Sequence, residues 1–521
     1  MTKDEEIRER AAALESAIEE ARTEGLPPNG VTELRKIVMN SHFHAFRRAL
    51  SGDPPADVEP LRVHVPADAR AARARPRPTS RDKAEWLDKH FTKLAQAGMV
   101  FANPQARFSS VAMAVPKKDP YRMVADYRAV NNLIAPSAMP MPNLEEIGRG
   151  LAGASVFYTL DLLQGYWQMP LDPQAQEIFT MVMAKGVYTP TRVPQGVLNA
   201  TSYFQGTMGD VLAGLLEKIC EVWVDDIGIW AGTWQEPMRR LRVVLERLQV
   251  RGIYAAAHKA KLFRREMRWC GKICSRATVS HDPERVQGLA SIRRPNTAGE
   301  LMQFLQVSNW MRTSVPELAV VVEPLREMLE TFLNNTHRTR RAADKTVITR
   351  GDWTEERAAA WETATERVSE VVPLYHPRAD RSVLIFPDAS DSFWGSCVTH
   401  VPPEELSAGG DEAEMSHEPL AFLSGAFKGA QRRWPVVDKE AYAIVSTFLR
   451  LPYMFWDGAH IFCDHRNLAY IFHPEACAVP TTPKATAQRL QRWSAFLGQF
   501  QYTIVHIPDE QNSWGDLLSR W

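Results

Sequence analysis

Two adjacent aspartates, Asp225 and Asp226, lie between short alternating apolar runs in the stretch EVWVDDIGIW, residues 221–230. Valines alternate before the pair and isoleucines after it, so the pattern favours a β-hairpin with the aspartates at its turn. Neighbouring carboxylates repel each other unless a cation or a basic group lies between them. The ten residues alone therefore leave two interpretations open, a plain turn and a metal-binding turn.

Length and composition limit the class of protein. The 521 residues, 45% hydrophobic and 24% charged, are typical of a globular chain with several domains. The 62 basic and 62 acidic residues give a formal net charge of zero, so contacts with nucleic acid must come from local patches. The six cysteines are scattered, without histidines at zinc spacing, and are interpreted as reduced core thiols.

The sequence shows no membrane or targeting segment. No apolar run approaches the roughly 18 residues that cross a bilayer, and the start MTKDEEIRER is charged rather than signal-like. We therefore expect an intracellular protein without a membrane partner, cytoplasmic (free or within a larger particle) or nuclear.

The first 80 residues show two patterns. Residues 3–22 carry apolar side chains at helical spacing among Glu and Arg, which predicts a surface helix appended to the rest of the chain. Between residues 50 and 80, six prolines exclude long helices, and RAARARPRPTSR contributes five arginines without an acid. Two interpretations of this basic run stay open, a solvated linker and an arm that contacts phosphates.

From residue 81 onward, short strands alternate with helices. The stretch SVFYTLDLLQGYWQMPL predicts a strand that ends at Asp161, and a helix, the Asp225 hairpin and a second helix follow it. This order suggests an α+β domain. After a mostly helical stretch, about 295–370, a second αβ unit begins at SVLIFPDASDSFWGSC.

Acidic residues occur at predicted element ends in the first unit, and on a strand, a helix, a strand end and a terminal helix in the second. Three lie in the first unit, namely Asp161, Asp225 and Asp226, and four in the second, namely Asp388, Glu440, Asp464 and Asp516. Such clusters hold Mg²⁺, and two metals can activate a 3′-hydroxyl and stabilise a leaving pyrophosphate, or cleave a phosphodiester with water. Positive charge for a triphosphate would come from Lys117, Lys118 and Arg122.

Ordered motifs carry a resemblance to a known family. PKKDPYRMVADYRAVN, YTLDLLQGYWQMPL, VPQGVLNATSYFQ and VWVDDIGIW occur in the order and spacing of reverse transcriptases of gypsy-like LTR retrotransposons. With DPERVQGLASIRRPNTAGELMQFLQVSNW and IVHIPDEQNSWGDLLSRW, the similarity covers roughly residues 85–521. It implies an α+β multidomain fold, a right-hand polymerase (fingers, palm and thumb) with a helical connection and a ribonuclease H-like αβ domain.

The resemblance also implies domain boundaries. Residues 1–80 would form an N-terminal helix and a Pro/Arg-rich linker, and residues 81–275 the fingers and palm. Residues 276–375 would form the thumb and connection, and residues 376–521 the ribonuclease H-like domain.

Individual residues inherit roles from the resemblance. WVDD resembles the YxDD hairpin of the polymerase, and the four acids of the second unit resemble the four-carboxylate site of the ribonuclease H domain. The resemblance therefore implies that all seven acids are catalytic metal ligands, with two Mg²⁺ per active site and Mn²⁺ as the alternative. Tyr166 matches the aromatic residue that lies under the incoming sugar and excludes a 2′-hydroxyl. Gln195, Lys117 and Arg122 match nucleotide contacts, and MRWCGKI resembles the segment that grips the primer end.

Three positions depart from the family pattern. Trp223 replaces the usual Tyr beside the catalytic pair, and Pro120 lies near the usual Gly of the fingers loop, which it would stiffen. NATSYFQ replaces the commoner Asn-Ala-Pro. Protease, zinc-knuckle and integrase motifs are not found in the sequence, so both a stand-alone product and a polyprotein fragment stay open.

The expected function is RNA-directed DNA synthesis with ribonuclease H activity. The partners would be an RNA template, a DNA primer, the RNA/DNA hybrid and deoxyribonucleoside triphosphates; the oligomeric state is not predicted. Two alternatives remain, a co-opted copy that binds nucleic acid without catalysis and a DNA-templated polymerase.

Overall fold

The fold is given by a computed structural model, which describes residues 2–50, 52–66, 68–117, 121–142, 148–334, 338–407, 415–473, 484–508 and 512. The chain divides into two compact units, Met1–Cys270 and Gly271–Trp521. The predicted domain boundaries within these units remain predictions.

The described residues form helices and strands in both units. The helices are α1 Lys3–Thr23, α2 Pro28–Arg35, α3 Arg81–Gln96, α4 Arg128–Asn131, α5 Gly165–Gln168, α6 Pro173–Gln176, α7 Ala200–Val211, α8 Gln235–Val250, α9 Pro283–Ala290, α10 Ala298–Trp310, α11 Leu318–Asn334, α12 Arg340–Lys345, α13 Glu355–Ser369, α14 Pro403–Ser407, α15 Val436–Arg450, α16 Arg466–Ile471 and α17 Lys484–Leu497. The strands are β1 Phe46–Arg47, β2 Val100–Ala102, β3 Ser110–Pro116, β4 Tyr121–Ala125, β5 Val156–Asp161, β6 Met181–Met183, β7 Gly186–Pro190, β8 Cys220–Trp223, β9 Asp226–Ala231, β10 Ala255–Ala256, β11 Lys261–Arg264, β12 Met267–Trp269, β13 Lys272–Cys274, β14 Thr278–His281, β15 Leu374–Tyr375, β16 Ser382–Ala389, β17 Phe393–Val401, β18 Glu418–Ala426, β19 Ala459–Cys463 and β20 Tyr502–His506.

Two sheets organise the first unit. One has the strand order β2-β7-β6-β3-β4 and is antiparallel except for the β3–β6 pair. The other has the order β11-β5-β9-β8 and is antiparallel throughout. The inner faces of both sheets and helices α7 and α8 contribute to one continuous apolar core. The predicted strand, helix, hairpin and helix are therefore present as β5, α7, β8–β9 and α8.

Helix α1 belongs to this core, and its interpretation as a surface appendage is wrong. Leu14 and Ile18 are fully buried in the common core. The same face carries Arg10 and Glu6, which are 3% and 6% exposed and form an ion pair at 3.3 Å. Arg10 also donates to the carbonyl oxygen of Phe46 at 2.9 Å. Because the buried face is partly charged, its sequence pattern is that of a solvent-exposed helix.

The basic run is anchored along the first unit by its backbone. Ala74 donates to the carbonyl oxygen of Ser109 at 2.9 Å, and Arg73 forms a parallel bridge with the same residue. The five arginine side chains remain exposed, and Arg77 pairs with Asp126 at 2.8 Å. The segment is thus an ordered strap, and its proposed contact with phosphates stays a prediction.

The second unit combines a helical part with a five-stranded sheet. Helices α9 to α13 share an apolar core in which the rings of Phe304 and Trp361 lie 4.3 Å apart. The sheet has the order β18-β17-β16-β19-β20; its first three strands are antiparallel, and β16, β19 and β20 are parallel. Helix α15 packs on β16 and β17, with α17 behind it. None of the helices in the described ranges has the length and apolar character that a bilayer crossing requires.

The burial of α1 generates a stability prediction. Leu14→Ala should lower the free energy of unfolding of the first unit by about 2–5 kcal/mol, because it leaves a cavity in a closed core. Ile7→Ala, on the same helix at a side chain that is 38% exposed, is the control and should change the value by less than about 1 kcal/mol. Urea unfolding of the full chain measures both. Equal midpoints for the two variants would mean that α1 is an appendage after all.

Candidate active sites

The first carboxylate group, Asp161, Asp225 and Asp226, is assembled by two neighbouring strands. Strand β5 ends at Asp161 and β9 begins at Asp226, and the antiparallel register sets these two residues directly opposite each other. Asp225 lies in the turn between β8 and β9, where its carbonyl oxygen accepts from the backbone of Leu162 at 2.7 Å. The predicted hairpin is confirmed, and it brings all three acids to one end of the sheet.

The turn itself has an unusual backbone. Val224 has φ of +54°, a left-handed conformation that is strained for a β-branched side chain. The side chain of Gln205, which is 5% exposed on α7, holds both sides of this turn. Its amide donates to the carbonyl oxygen of Val222 at 3.1 Å and accepts from the backbone N–H of Val224 at 2.8 Å. Sequence reasoning missed Gln205; the only signal was a polar residue directly after the buried Phe204.

Electrostatics within the group favour a bound cation. Burial raises the pKa of Asp226 to about 6, and the charges of Asp225 and Asp161 add to this effect. Burial also raises the pKa of Asp225, again with a contribution from Asp161. The ammonium group of Lys259 lies 2.8 Å from both carboxylate oxygens of Asp161. Lys259, which the sequence analysis did not single out, therefore offsets only part of the negative charge.

Tyr166 lies beside the first carboxylate group. Its short helix α5 follows Gln164, which has φ of +48°. The Tyr166 ring packs 5.2 Å from Phe204, and its hydroxyl lies 3.0 Å from the hydroxyl of Thr201. Burial raises the pKa of Tyr166, and the charge of Asp225 contributes to the increase. The structure thus brings Tyr166 close to the aspartates, and its position under a sugar stays a prediction.

The other predicted nucleotide contacts are exposed. Lys117 and Arg122 flank the tip of the β3–β4 hairpin, and Gln195 precedes α7 in an irregular segment. In the part of the chain that the structure describes, no hydrogen bond or ion pair links them to the first carboxylate group. Lys118 and Pro120 lie outside the described residues. Trp223 is half-buried and pairs with Asp226 in the register of β8 and β9, so a bulky ring does border the aspartates.

The second carboxylate group consists of Asp388, Glu440 and Asp464. Asp388 lies near the end of β16, Glu440 on α15, and Asp464 directly after β19. The parallel register of β16 and β19, which pairs Leu384 with His460, brings Asp388 level with Asp464 when it is continued. The three side chains offer carboxylate oxygens that all lie within 4.8 Å of one another.

Burial sets this group apart from surface acids. Asp388 and Glu440 are 1% and 6% exposed, and Glu440 accepts a hydrogen bond from the backbone of Ala389 at 3.3 Å. Among the described residues, the carboxylate oxygens of the first group are not all within 4.8 Å of one another, whereas those of the second group are. Asp516, the predicted fourth acid, lies outside the described residues.

An ion pair between a buried aspartate and a partly buried arginine positions the helix that carries Glu440. Asp438, which is fully buried two residues earlier on α15, accepts from Nε of Arg489 on α17 at 3.1 Å and from the hydroxyl of Thr486 at 3.2 Å. The guanidinium of Arg489 also lies 5.0 Å from the centre of the Trp434 ring. Sequence reasoning missed this pair; the acid two residues before Glu440 was its only signal.

Comparisons with known proteins agree with this architecture. A family model described as "Reverse transcriptase (RNA-dependent DNA polymerase)" matches residues 115–274. A second, described as "RNase H-like domain found in reverse transcriptase", matches residues 378–500. The first carboxylate group lies inside the first match, and the described members of the second group lie inside the second.

Curated relatives include viral and transposon polyproteins. The "Enzymatic polyprotein" of Cauliflower mosaic virus (strain CM-1841) is 25% identical over 464 residues, 87% of this chain and 63% of the relative. The "Retrovirus-related Pol polyprotein from transposon gypsy" of Drosophila melanogaster is 25% identical over 454 residues, 85% of this chain and 41% of the relative. The chain thus spans less than two thirds of the length of these relatives.

Solved structures show the same fold. A foamy viral protease-reverse transcriptase in complex with dsDNA has a TM-score of 0.76 at 19% identity, over 96% of this chain and 97% of that chain. The same kind of protein in complex with an RNA/DNA hybrid has a TM-score of 0.71 at 18% identity, over 95% of this chain and 63% of that chain. The predicted α+β polymerase and ribonuclease H-like fold is confirmed.

The fold and the two carboxylate groups define a polymerase-type unit followed by a ribonuclease H-like unit. The chain carries a match to the reverse transcriptase family model followed by a match to the RNase H-like domain found in reverse transcriptases, and its relatives include the gypsy and 297 transposon Pol polyproteins and the caulimovirus polyproteins. The resemblance inferred from the ordered motifs is confirmed.

The raised pKa of Asp226 generates a prediction for the metal-free protein. Since this pKa, about 6, lies above the ordinary 3.8, the associated stability is fully present below about pH 4 and is lost as the pH rises through 6. Asp226→Asn removes the charge, so in EDTA its melting temperature should exceed that of the unsubstituted protein at pH 7 and match it at pH 4.

Asp210→Asn is the matched control, since Asp210 is an exposed aspartate on α7. Its difference from the unsubstituted protein should be small at both pH values. A melting difference for Asp226→Asn that is the same at pH 4 and pH 7 would show that Asp226 is not held in a charge-repelling cluster.

Proposed function

We propose that the chain is an RNA-directed DNA polymerase that also hydrolyses the RNA strand of an RNA/DNA hybrid. The observation that carries the proposal is the presence of two separate carboxylate groups, one in each unit. The positions of the two family matches support it, because each match encloses one group.

Divalent cations are the usual cofactors of both families, and the residues fit them. Carboxylate oxygens are the ligands that Mg²⁺ prefers. The pKa of Asp226 is raised first by burial and then by the charges of Asp225 and Asp161, which Lys259 does not fully offset. We therefore propose two Mg²⁺ per site, with Mn²⁺ as the alternative, held by the first carboxylate group and by the second together with Asp516. When bound, such ions activate the attacking hydroxyl or water and stabilise the leaving oxygen.

The proposed partners follow from the same assignment. They are an RNA template, a DNA primer, the hybrid that results, and deoxyribonucleoside triphosphates; the solved relatives with dsDNA and with an RNA/DNA hybrid support the nucleic acids. Exposed Lys117 and Arg122 would contact the triphosphate and Gln195 the nucleotide. Tyr166, at the edge of the first carboxylate group, would exclude the 2′-hydroxyl of a ribonucleotide.

A second candidate function is nucleic-acid binding without catalysis. It is favoured by Trp223, which replaces the usual Tyr and pairs with Asp226 across the hairpin. Primer extension on an RNA template with Mg²⁺ separates the two candidates. A catalytic protein extends the primer, whereas a binding protein shifts the mobility of the template and primer without extending it.

The two proposed activities should be separable by single substitutions. Asp225→Asn keeps the shape of the side chain but removes a charge, so DNA synthesis should fall by more than about a hundredfold, since even residues that only support metal ligands cost about 10- to 100-fold. Hybrid cleavage should persist. Glu440→Gln should abolish hybrid cleavage while DNA synthesis persists. Assays of both activities on the full chain measure the two patterns.

Each variant is the control for the other, because both remove one carboxylate from one unit. Loss of both activities from either substitution, with unchanged circular dichroism and melting temperature, would refute two independent sites. Unchanged cleavage in Glu440→Gln would refute the assignment of the second carboxylate group.

The position of Tyr166 predicts its effect on sugar selection. Tyr166→Val removes the ring beside the nucleotide, so incorporation of ribonucleotides relative to deoxyribonucleotides should rise by about tenfold or more. Single-nucleotide incorporation with each substrate measures this ratio. A variant that still incorporates deoxyribonucleotides with an unchanged ratio would leave Tyr166 as a packing residue.

A further inference from the structure

Thr201 occupies a position where this chain departs from the family it resembles. The motif NATSYFQ has threonine where Asn-Ala-Pro is commoner, and a proline has no hydroxyl to offer. In the structure, the hydroxyl of Thr201 lies 3.0 Å from the hydroxyl of Tyr166, and either group can be the donor. The departure therefore creates a contact with the residue proposed to select the sugar.

Thr201 is itself held in a fixed place. It is the second residue of α7, whose start is anchored by the side chain of Asn199. That amide accepts from the backbone of Ser137 and donates to the carbonyl oxygen of Ala135, both at 2.9 Å. A hydroxyl on an anchored helix end can restrain its partner, because the helix does not have to move with it.

Packing also restrains Tyr166. Phe204 packs at 5.2 Å with an interplanar angle of 52°. A Cβ atom added at Gly165 would lie 2.8 Å from the Phe204 ring and 3.5 Å from Cβ of Asp225, so the backbone of α5 is tightly packed. Packing against Phe204 restrains one side of the Tyr166 ring, and the hydrogen bond to Thr201 holds its hydroxyl.

We infer that Thr201 is a specificity-determining positioning residue that tethers the Tyr166 phenol and holds its ring as a wall against a ribose 2′-hydroxyl. The inference rests on the proposed function, since a sugar is selected only if nucleotides are incorporated. Discrimination depends on the difference in free energy between two substrates. A ring that can swing outward rejects the additional hydroxyl less strongly than a tethered one.

The experiment measures kcat/KM of the full chain for one ribonucleotide and the matching deoxyribonucleotide on an RNA template with Mg²⁺. Thr201→Val keeps the shape but removes the hydroxyl, and the ratio should shift toward the ribonucleotide by about twofold to tenfold, the range expected for one neutral hydrogen bond. The change should fall on the KM for the ribonucleotide. Thr201→Ser keeps the hydroxyl, so its ratio should equal that of the unsubstituted protein.

Ser202→Ala is the matched control. Ser202 is the next residue on α7, and its hydroxyl donates to the carbonyl oxygen of Asn199 at 3.2 Å rather than to Tyr166. A hydroxyl loss that merely weakens the helix would alter melting in this variant as in Thr201→Val, without altering the ratio. An unchanged ratio in Thr201→Val, while deoxyribonucleotides are incorporated, would overturn the inference.

Tyr166→Phe removes the same hydrogen bond from its other side. It should shift the ratio as Thr201→Val does, and the double variant should show no further shift; additive shifts would overturn the inference. Failure of the unsubstituted protein to incorporate deoxyribonucleotides would refute the proposed function instead. In that case the melting temperatures of Thr201→Val, Tyr166→Phe and the double variant test the hydrogen bond. Changes in melting temperature that do not add in the double variant support the bond, and additive changes refute it.

Discussion

Repulsion between carboxylates is the constraint on which the first unit depends. The antiparallel register of β5 and β9 places Asp161 opposite Asp226, and the turn adds Asp225, so three acids share one end of the sheet. Like charges directly opposite each other destabilise a sheet. The fold offsets this cost in other places, through the buried strands on both sides of the turn, the ammonium of Lys259 on Asp161, and the backbone bond from Leu162 to Asp225. Burial, with repulsion between the acids, raises the pKa values of Asp225 and Asp226, and perturbed pKa values of this kind cluster at functional sites.

The second unit reaches a similar end by a different topology. Parallel strands β16 and β19 end at the same edge of the sheet, so Asp388 and Asp464 converge without a turn between them. Glu440 must come from a helix, and the position of that helix depends on the ion pair of buried Asp438 and Arg489. Breaking such a pair leaves an uncompensated buried charge. The supporting pair is therefore as important to this site as the packing of α15 on the sheet.

Much of the fold and the grouping of the described acids could be predicted from the sequence, because strand periodicity and turn residues are local properties and the order of the motifs can be read along the chain. The supporting residues could not be predicted. Lys259 contacts Asp161 across 98 positions of the chain, and Arg489 reaches Asp438 across 51. Nothing in the neighbourhood of either residue marks it as a partner of an acid. Helix α1 has the sequence pattern of a surface helix for a related reason. Arg10 and Glu6 neutralise each other inside the core, so the buried face has the composition of a solvated one.

Helix α7 joins the two elements on which sugar selection and metal binding would depend. Thr201, Phe204 and Gln205 follow the i, i+3 and i+4 spacing, so they lie on one face of the helix. The first two contact Tyr166, and the third holds the strained turn at Val224. A rigid helix thus fixes the distance between the ring and the aspartates. A shift of α7 would displace both together, whereas loss of the Thr201 hydroxyl would release the ring and leave the hydrogen bonds of Gln205 in place. Under the proposed function, selection of the sugar could therefore change without rebuilding the turn that carries Asp225.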